Sequence, residues 1–454
     1  MTTALTADLG RFVAGLRYTD IPEKAVELIQ SAFADCIGVM IAGAHEAAPQ
    51  RLKSVLAPTG NDATLLFTNE RASAPEAAWI NGTAAHALDF DDVAERGGHI
   101  STVLVPAILA EAQVIGSSGA DLVTAYAAGY ETWSELARRE LDSHHNKGWH
   151  PTGILGAIGA AAACASLRKL DAGQCATALA LAASQSSGLV SNFGTMTKPF
   201  HAGRAAHSGL ISARLAQAGF TAATDALEHS PGYLMAVSEH GRIDLDTKVS
   251  AGTEWTIVNG NRLSIKKYPM CFCTHRAIDG MLDLAIKTKI DPVLVKQVVV
   301  SISRRNETIL RNHAPQTGLE GKFSMEFAMA SALIARRVGL PELTDPFVCR
   351  ADVQAMLKRV TITPDDSDDP MRPGYAIHDR VKVETRDGQA LESGPITKVR
   401  GDADLPLSKE DLWAKFEGCV QAGRSTLSAS DLFGSLMKLN HLEHVRNIPG
   451  LSAT

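Results

Sequence analysis

The run from Pro151 to Leu167, PTGILGAIGAAAACASL, limits what this chain can fold into more than any other stretch. It consists largely of Ala, Gly, Ile and Leu, with almost no polar side chains. A helix that is apolar all round belongs inside a protein, and side chains this small let its neighbours approach closely. Proline is favoured at the first helical position, so the helix starts at Pro151 and His150 falls at or beside its cap. An imidazole there stands at the positive end of a buried helix, where an anion is welcome. The plainer alternative is a packed histidine with one satisfied hydrogen bond. A second buried helix is expected over Ala172–Ser184.

At 454 residues the chain exceeds the usual size of one hydrophobic core, which predicts two domains. Residues 1–45 read as two helices. The second starts at Ile21-Pro22 and carries Ala25, Leu28, Ile29, Ala32, Phe33, Cys36 and Ile37 at helical spacing. Residues Ala63–Phe67 read as a short extended piece, and further helices are expected from Ala74, over Val103–Val114 and over Asp121–Arg139. Near residue 262 the texture changes. Arg262–Tyr268, Val295–Ser303, Arg359–Thr363 and Arg380–Thr385 carry β-branched residues, and Arg386-Asp387-Gly388-Gln389 reads as a hairpin turn. Helical segments at Thr274–Lys287 and Phe323–Arg337 lie between them, and helices return at Asp411–Ala422 and Ala429–Leu439. The expected fold is mainly α: a large all-helical domain built from both chain ends, residues 1–261 and 401–454, with a smaller α+β domain inserted at 262–400.

The net charge of −6 and the lack of clustered Lys and Arg argue against a nucleic-acid partner. No G-x-G-x-x-G follows a strand, which argues against nicotinamide and flavin chemistry. The seven cysteines are odd in number and mostly lie in apolar helical stretches, as reduced thiols would. Cys271-Phe272-Cys273 is too tight for a usual zinc knuckle and has no second pair. Met1–Leu9 lacks a basic region followed by an apolar core, and the apolar runs are short for a membrane span, so a cytoplasmic protein without a membrane partner is expected.

Against this apolar background, His86-Ala87-Leu88-Asp89-Phe90-Asp91-Asp92 and Gly97-Gly98-His99 bring three aspartates and two imidazoles together. Unpaired charge is costly to desolvate, so such density points to a catalytic acid/base cluster. A solvated helix end capped by aspartates is the alternative reading. Ser191 to Gly203 reads as a polar loop holding Lys198, stiffened by Pro199 and feeding a helix that begins near Gly203. A lysine in a loop is ordinarily just solvated. Cys271 and His275, about one helical turn apart, could pair, although a partly buried loop cysteine is the plainer reading.

Asp89-Phe90-Asp91-Asp92 with His99, Gly148-Trp149-His150-Pro151, Gly194-Thr195-Met196-Thr197-Lys198-Pro199, Lys266-Lys267-Tyr268-Pro269, Cys271 and Thr274-His275-Arg276 follow one another along the chain. In this order they resemble the MmgE/PrpD family, whose members include 2-methylcitrate dehydratase, cis-aconitate decarboxylase and iminodisuccinate epimerase. The resemblance implies a helical domain, a smaller α+β lid, a homodimer, and a site between the domains that uses neither a metal nor an organic cofactor. Position by position it makes Asp89, His99, His150, Lys198 and, from the lid, Lys266 the catalytic set. Lys267, Cys271, His275 and Arg276 are the expected substrate-binding residues.

The implied substrate is a small anionic di- or tricarboxylate that loses a proton beside a carboxylate, with Asp89 or His150 as base and His99 or His150 as second acid. Lys198 and Lys266 would hold the developing charge. Val93, Cys271 and Phe327 stand where the decarboxylase pattern has threonine, histidine and tyrosine. That loss of polar groups leads us to expect epimerisation first, a hydro-lyase second and decarboxylation after them. A non-catalytic carboxylate-binding protein is the alternative from another class.

Overall fold

In the computed structural model of this chain, residues 4–369 and 374–451 are described. They divide into two units, Met1–Ile265 with Ser408–Thr454, and Lys266–Leu407.

The first unit is helical. Its principal helices before residue 265 are α1 (Leu5–Gly15), α2 (Glu23–Gly43), α3 (Ala47–Leu56), α4 (Ala74–Ala87), α5 (Ser101–Ile115), α6 (Gly119–Arg139), α7 (Pro151–Leu167), α8 (Ala172–Ala183) and α9 (Thr197–Gln217). Local chemistry sets several of the starts. Ser118 and Asp121 close a capping box on α6, and Asp171 and Gln174 do the same on α8. Pro151 is the first residue of α7 and His150 is its cap, with every residue of the helix buried.

Helix α7 packs against α5, α6, α8 and α9, so its small residues serve close approach on several sides. At Gly209 of α9, a Cβ would lie 2.6 Å from the Ala157 carbonyl of α7. On the opposite contact, a Cβ at Gly82 of α4 would lie 2.8 Å from Cα of Gly203 in α9. Helix α9 is thus wedged between α4 and α7, with its first turn between the end of one and the start of the other. Overpacking such a contact typically costs about 1–3 kcal/mol.

Several elements differ in extent or burial from those expected from the sequence. Helix α9 begins at Thr197 rather than near Gly203, because Pro199 lies in the first turn, where its missing N–H breaks no helical bond. Lys198 therefore stands on a helix, buried, and not in a solvated loop. Helix α8 buries only one face. The extended piece at 63–67 reduces to Ala63–Thr64, paired with Arg71–Ala72. The one at 262–268 reduces to Leu263–Ser264, paired with Val93–Ala94. Helix α2 is long and apolar enough to cross a membrane by length and composition, and 83% of its apolar window is buried inside the fold.

The second unit carries a four-stranded sheet of β1 (Val295–Ser303), β2 (Val360–Asp365), β3 (Arg380–Thr385) and β4 (Ala390–Glu392), in the order β2-β1-β3-β4. The β1–β2 pair is parallel, with Val298 opposite Val360. The others are antiparallel, and the expected turn at 386–389 joins β3 to β4. Helices α10 (His275–Thr288) and α11 (Met325–Ile334) pack on each other, and both contribute to the core that holds Val298, Val300, Val381 and Val383.

After residue 407 the chain returns to the first unit as α12 (Lys409–Ala422) and α13 (Ala429–Leu436). Helix α12 lies on α2, and Phe416, Val420, Leu432 and Leu436 belong to the same core as Ile29, Phe33 and Ile37. The chain is accordingly mainly α.

Candidate active site

Helix α4 stops at Ala87, and two residues later Asp89 takes a left-handed conformation with φ of 52°. Aspartate tolerates that region better than most side chains. The reversal sends the next carboxylates inward: Asp91 and Asp92 are fully buried.

Asp91 organises the cluster. Its Oδ1 lies 2.9 Å from Nδ1 of His86, and its Oδ2 lies 2.6 Å from Nδ1 of His99. Burial alone would push its carboxyl up, but the two imidazoles outweigh that and hold it well below the usual carboxylate range. An ionised carboxylate only accepts, so both imidazoles carry hydrogen on Nδ1. Nε2 is then the working nitrogen of each ring. Burial drives His86 down to about 3 despite its carboxylate neighbour, so this ring is neutral, and its buried Nε2 has no hydrogen-bond partner among the described residues. The His86 and His99 rings lie 4.3 Å apart.

The Nε2 of His99 faces Oδ1 of Asp89 at 3.7 Å, and Nζ of Lys198 lies 2.6 Å from that same oxygen. A candidate base and a candidate acid therefore flank one carboxylate. The backbone N–H of His99 donates to Oγ1 of Thr152 in the first turn of α7, at 3.1 Å, which ties the loop to that helix.

His150 has different surroundings. Its backbone N–H donates to the Gly188 carbonyl at 3.0 Å, and its ring stands edge-on to Phe193 at 4.8 Å. Burial, with the Lys198 ammonium as the next cause, holds it well below the ordinary histidine range, so it is neutral. Its Nδ1 lies 3.1 Å from Nδ1 of His201, and the His150 and His86 rings are 6.0 Å apart.

Asp92 takes no part in pairing the imidazoles through its side chain. Its carboxylate accepts from Ser101 Oγ and from the Ser101 N–H, and Ser101 Oγ also meets Tyr126 OH at 2.7 Å. Burial first, and Asp35 next, raise it well above the usual range, toward the neutral acid. Beside it, Lys415 of α12 reaches Asp35 at 2.5 Å and donates to the Phe90 carbonyl at 2.7 Å, with its ammonium 4.1 Å from the Phe90 ring centre. The loop carrying Asp89–Asp92 is thus held from α2 and from the C-terminal end of the chain.

Donor atoms of His86, Asp89, Asp91 and His99 lie within 4.8 Å of one another, close enough for a metal ion. The chemistry of the set favours a proton network instead. Both Asp91 oxygens already accept imidazole N–H groups, and an ammonium sits on Asp89, where a cation would have to displace it.

The structure brings Asp89, His99 and Lys198 into contact and places His150 beside the same cluster. Lys266, Lys267, Cys271, His275 and Arg276 belong to the second unit. There Nε2 of His275 meets the Met270 carbonyl at 3.2 Å. Arg276 donates to the Ala376 carbonyl at 2.7 Å and lies 3.7 Å from both Asp369 and Asp379. A hydrogen bond with Cys271, together with burial, pushes the Cys273 thiol well up, away from the thiolate form. Phe327 is part of the core of that unit.

His201 and Lys415 were not expected from the sequence, and Asp91 and His86 were expected in the acid/base cluster without a role of their own. His201 had a signal: three residues after Lys198, it shares a face with it once the helix is known to start at Thr197. Lys415 had none, since its partners are more than 300 residues away.

Two family models cover most of the chain. The MmgE/PrpD N-terminal domain matches residues 7–246, and the MmgE/PrpD C-terminal domain matches residues 268–429. Among curated proteins, the chain is 26% identical over 375 residues to cis-aconitate decarboxylase of Homo sapiens, covering 80% of this chain and 75% of that protein. It is 24% identical over 473 residues to cis-aconitate decarboxylase of Aspergillus terreus, covering 97% and 94%. It is also 24% identical over 447 residues to the cis-aconitate decarboxylase-like protein oryM of Aspergillus oryzae, covering 92% and 91%.

Proposed function

The chain belongs to the MmgE/PrpD family, and from that premise we propose that it removes a proton from carbon beside a carboxylate of a small di- or tricarboxylate. The observation that carries this reading is the placement of His99 Nε2 and Lys198 Nζ on one oxygen of Asp89.

In this mechanism His99 is the base. Asp91 accepts its Nδ1–H, which fixes the ring with Nε2 turned toward Asp89 and open to a proton. As the C–H bond breaks, the proton goes to Nε2 and the electron pair moves into the adjacent carboxylate, giving an enediolate. Lys198, as an ammonium, and neutral His150, at the positive end of α7, are the donors for that charge. A neutral histidine at a helix N-terminus is a suitable hydrogen-bonding electrophile, because it need not lose a charge to act.

The Lys198 ammonium then returns a proton to the opposite face of the carbon, and the configuration inverts. His99 is left as imidazolium and Lys198 as amine, and Asp89 between them is the group through which the surplus proton passes back. Epimerisation needs nothing more. Dehydration needs a further acid for the departing hydroxyl, and Val93 and Phe327 supply no hydroxyl. Decarboxylation is the second reading, supported by the names of the relatives: loss of carbon dioxide leaves a similar carbanion for the same acids to protonate.

The test is incubation in heavy water with single stereoisomers of iminodisuccinate and 2-methylcitrate, and with cis-aconitate, followed by NMR and polarimetry. Deuterium at the stereocentre with a changed optical rotation and no new alkene is the expected result. A new alkene, or released carbon dioxide, would replace epimerisation by dehydration or decarboxylation. No change with any acid would return the chain to a carboxylate-binding role.

A further inference from the structure

We propose that His201 is a positioning residue, whose Nδ1–H is donated to Nδ1 of His150 and holds that ring as the tautomer with hydrogen on Nε2. The direction of this hydrogen bond and its catalytic consequence rest on the function proposed above; the tautomer is read directly by the experiment below, without substrate.

The two Nδ1 atoms are 3.1 Å apart, an N–H···N distance, and both side chains are buried, at 2% and 7% exposure. Burial and the nearby Lys198 keep both rings neutral, His201 at about 4 and His150 well below its usual value. Each neutral ring has one N–H to place. Two Nδ1–H groups would collide and two lone pairs would repel, so one ring carries hydrogen on Nδ1 and the other on Nε2.

The direction follows from what surrounds each ring. His99 has carboxylates at both nitrogens, which suits a base, and its Nδ1–H is committed to Asp91. Burial first, and then the Lys198 ammonium and the neighbouring imidazoles, disfavour the charged form of His150. In the proposed mechanism the form of His150 that serves is therefore the neutral donor. Hydrogen on Nε2 requires Nδ1 to accept, and His201 is the group placed to donate. His201 reaches this position because α9 starts at Thr197 and because α9 lies close against both α4 and α7 at Gly203 and Gly209.

The experiment pairs two variants with a direct reading of the tautomer. In His201→Asn the side-chain amide overlies the place of Nδ1 and can still donate. In His201→Gln the amide reaches the place of Nε2 and leaves His150 Nδ1 without its donor. Two-bond 15N–1H correlation spectra of histidine-labelled protein, assigned with His150→Gln, report which nitrogen of His150 is protonated without any substrate. The expected spectra show hydrogen on Nε2 in the wild type and in His201→Asn, and a loss of that preference in His201→Gln. The expected kinetics are kcat within about tenfold of wild type for the Asn variant and a loss of about 100-fold or more for Gln, with KM little changed.

Hydrogen on Nδ1 of His150 in the wild type would overturn the proposal, as would Asn and Gln variants with indistinguishable kcat and spectra. If no acid is turned over at all, the spectra of the free protein still decide the tautomer, so a failed function and a failed assignment are told apart.

Discussion

Two histidines of one site show how surroundings divide a single residue type between tasks. His99 lies between Asp91 and Asp89, and His150 lies among other imidazoles and an ammonium. The first has a carboxylate oxygen near each ring nitrogen, and the second is held neutral. His86 belongs with the second in charge, even though Asp91 is its neighbour, because burial dominates. This has a measurable consequence. The folded His86 protonates only near 3, whereas the unfolded ring does so near 6.5. As pH falls below the unfolded value, the unfolded chain takes up a proton that the folded chain refuses, and stability is lost until about pH 3. In His86→Gln that contribution disappears. Between pH 6.5 and 4, urea titrations of the wild type should show stability falling faster than in the variant, by up to about 1.4 kcal/mol per pH unit. Parallel slopes would remove the neutral, buried His86. The density of ionisable groups at 86–99 was legible in the sequence. What could not be read was that one carboxylate serves two rings, since that depends on the reversal at Asp89.

At the scale of elements, the site is an intersection. The end of α4, the start of α7 and the first turn of α9 meet because glycines let the helices approach. The helix α7 and its cap were readable, since Pro151 and an unbroken run of small residues leave little choice. The start of α9 was not, because Thr197-Lys198-Pro199 looks like a turn until tertiary packing supplies the reason to be helical. Helix α12 contributes from the far end of the chain through Lys415, whose ammonium joins Asp35 of α2 to the carbonyl of Phe90. Removing one partner of a buried ion pair costs about 3–5 kcal/mol. Lys415→Met should therefore lower the urea midpoint by a corresponding amount, and adding Asp35→Asn should recover much of it. A single variant as stable as the wild type would show that this pair does not brace the loop.

Over the whole molecule, the mainly helical character and the change of texture near residue 262 were both visible in periodicity and β-branched content. The second unit holds its sheet where β-branched runs were expected at 295–303, near 360 and at 380–385, but the run at 262–268 forms only a two-residue ladder. Periodicity reports how a segment can be buried, whereas strand length depends on a partner that lies elsewhere in the chain. The same limit applies to the chemistry. Asp89, His99, His150 and Lys198 could be named from motifs, while their hydrogen bonds come from packing between distant segments.

In the proposed mechanism, His99 Nε2 receives the proton taken from carbon. Solvent deuterium entering the carbon beside the carboxylate of iminodisuccinate, followed by NMR in heavy water for wild type and His99→Gln, tests it most directly. The wild type should incorporate deuterium, and the variant should do so more slowly by about 10²–10⁴-fold while its urea midpoint stays close to that of the wild type. Incorporation by a folded His99→Gln variant at the wild-type rate would contradict the account.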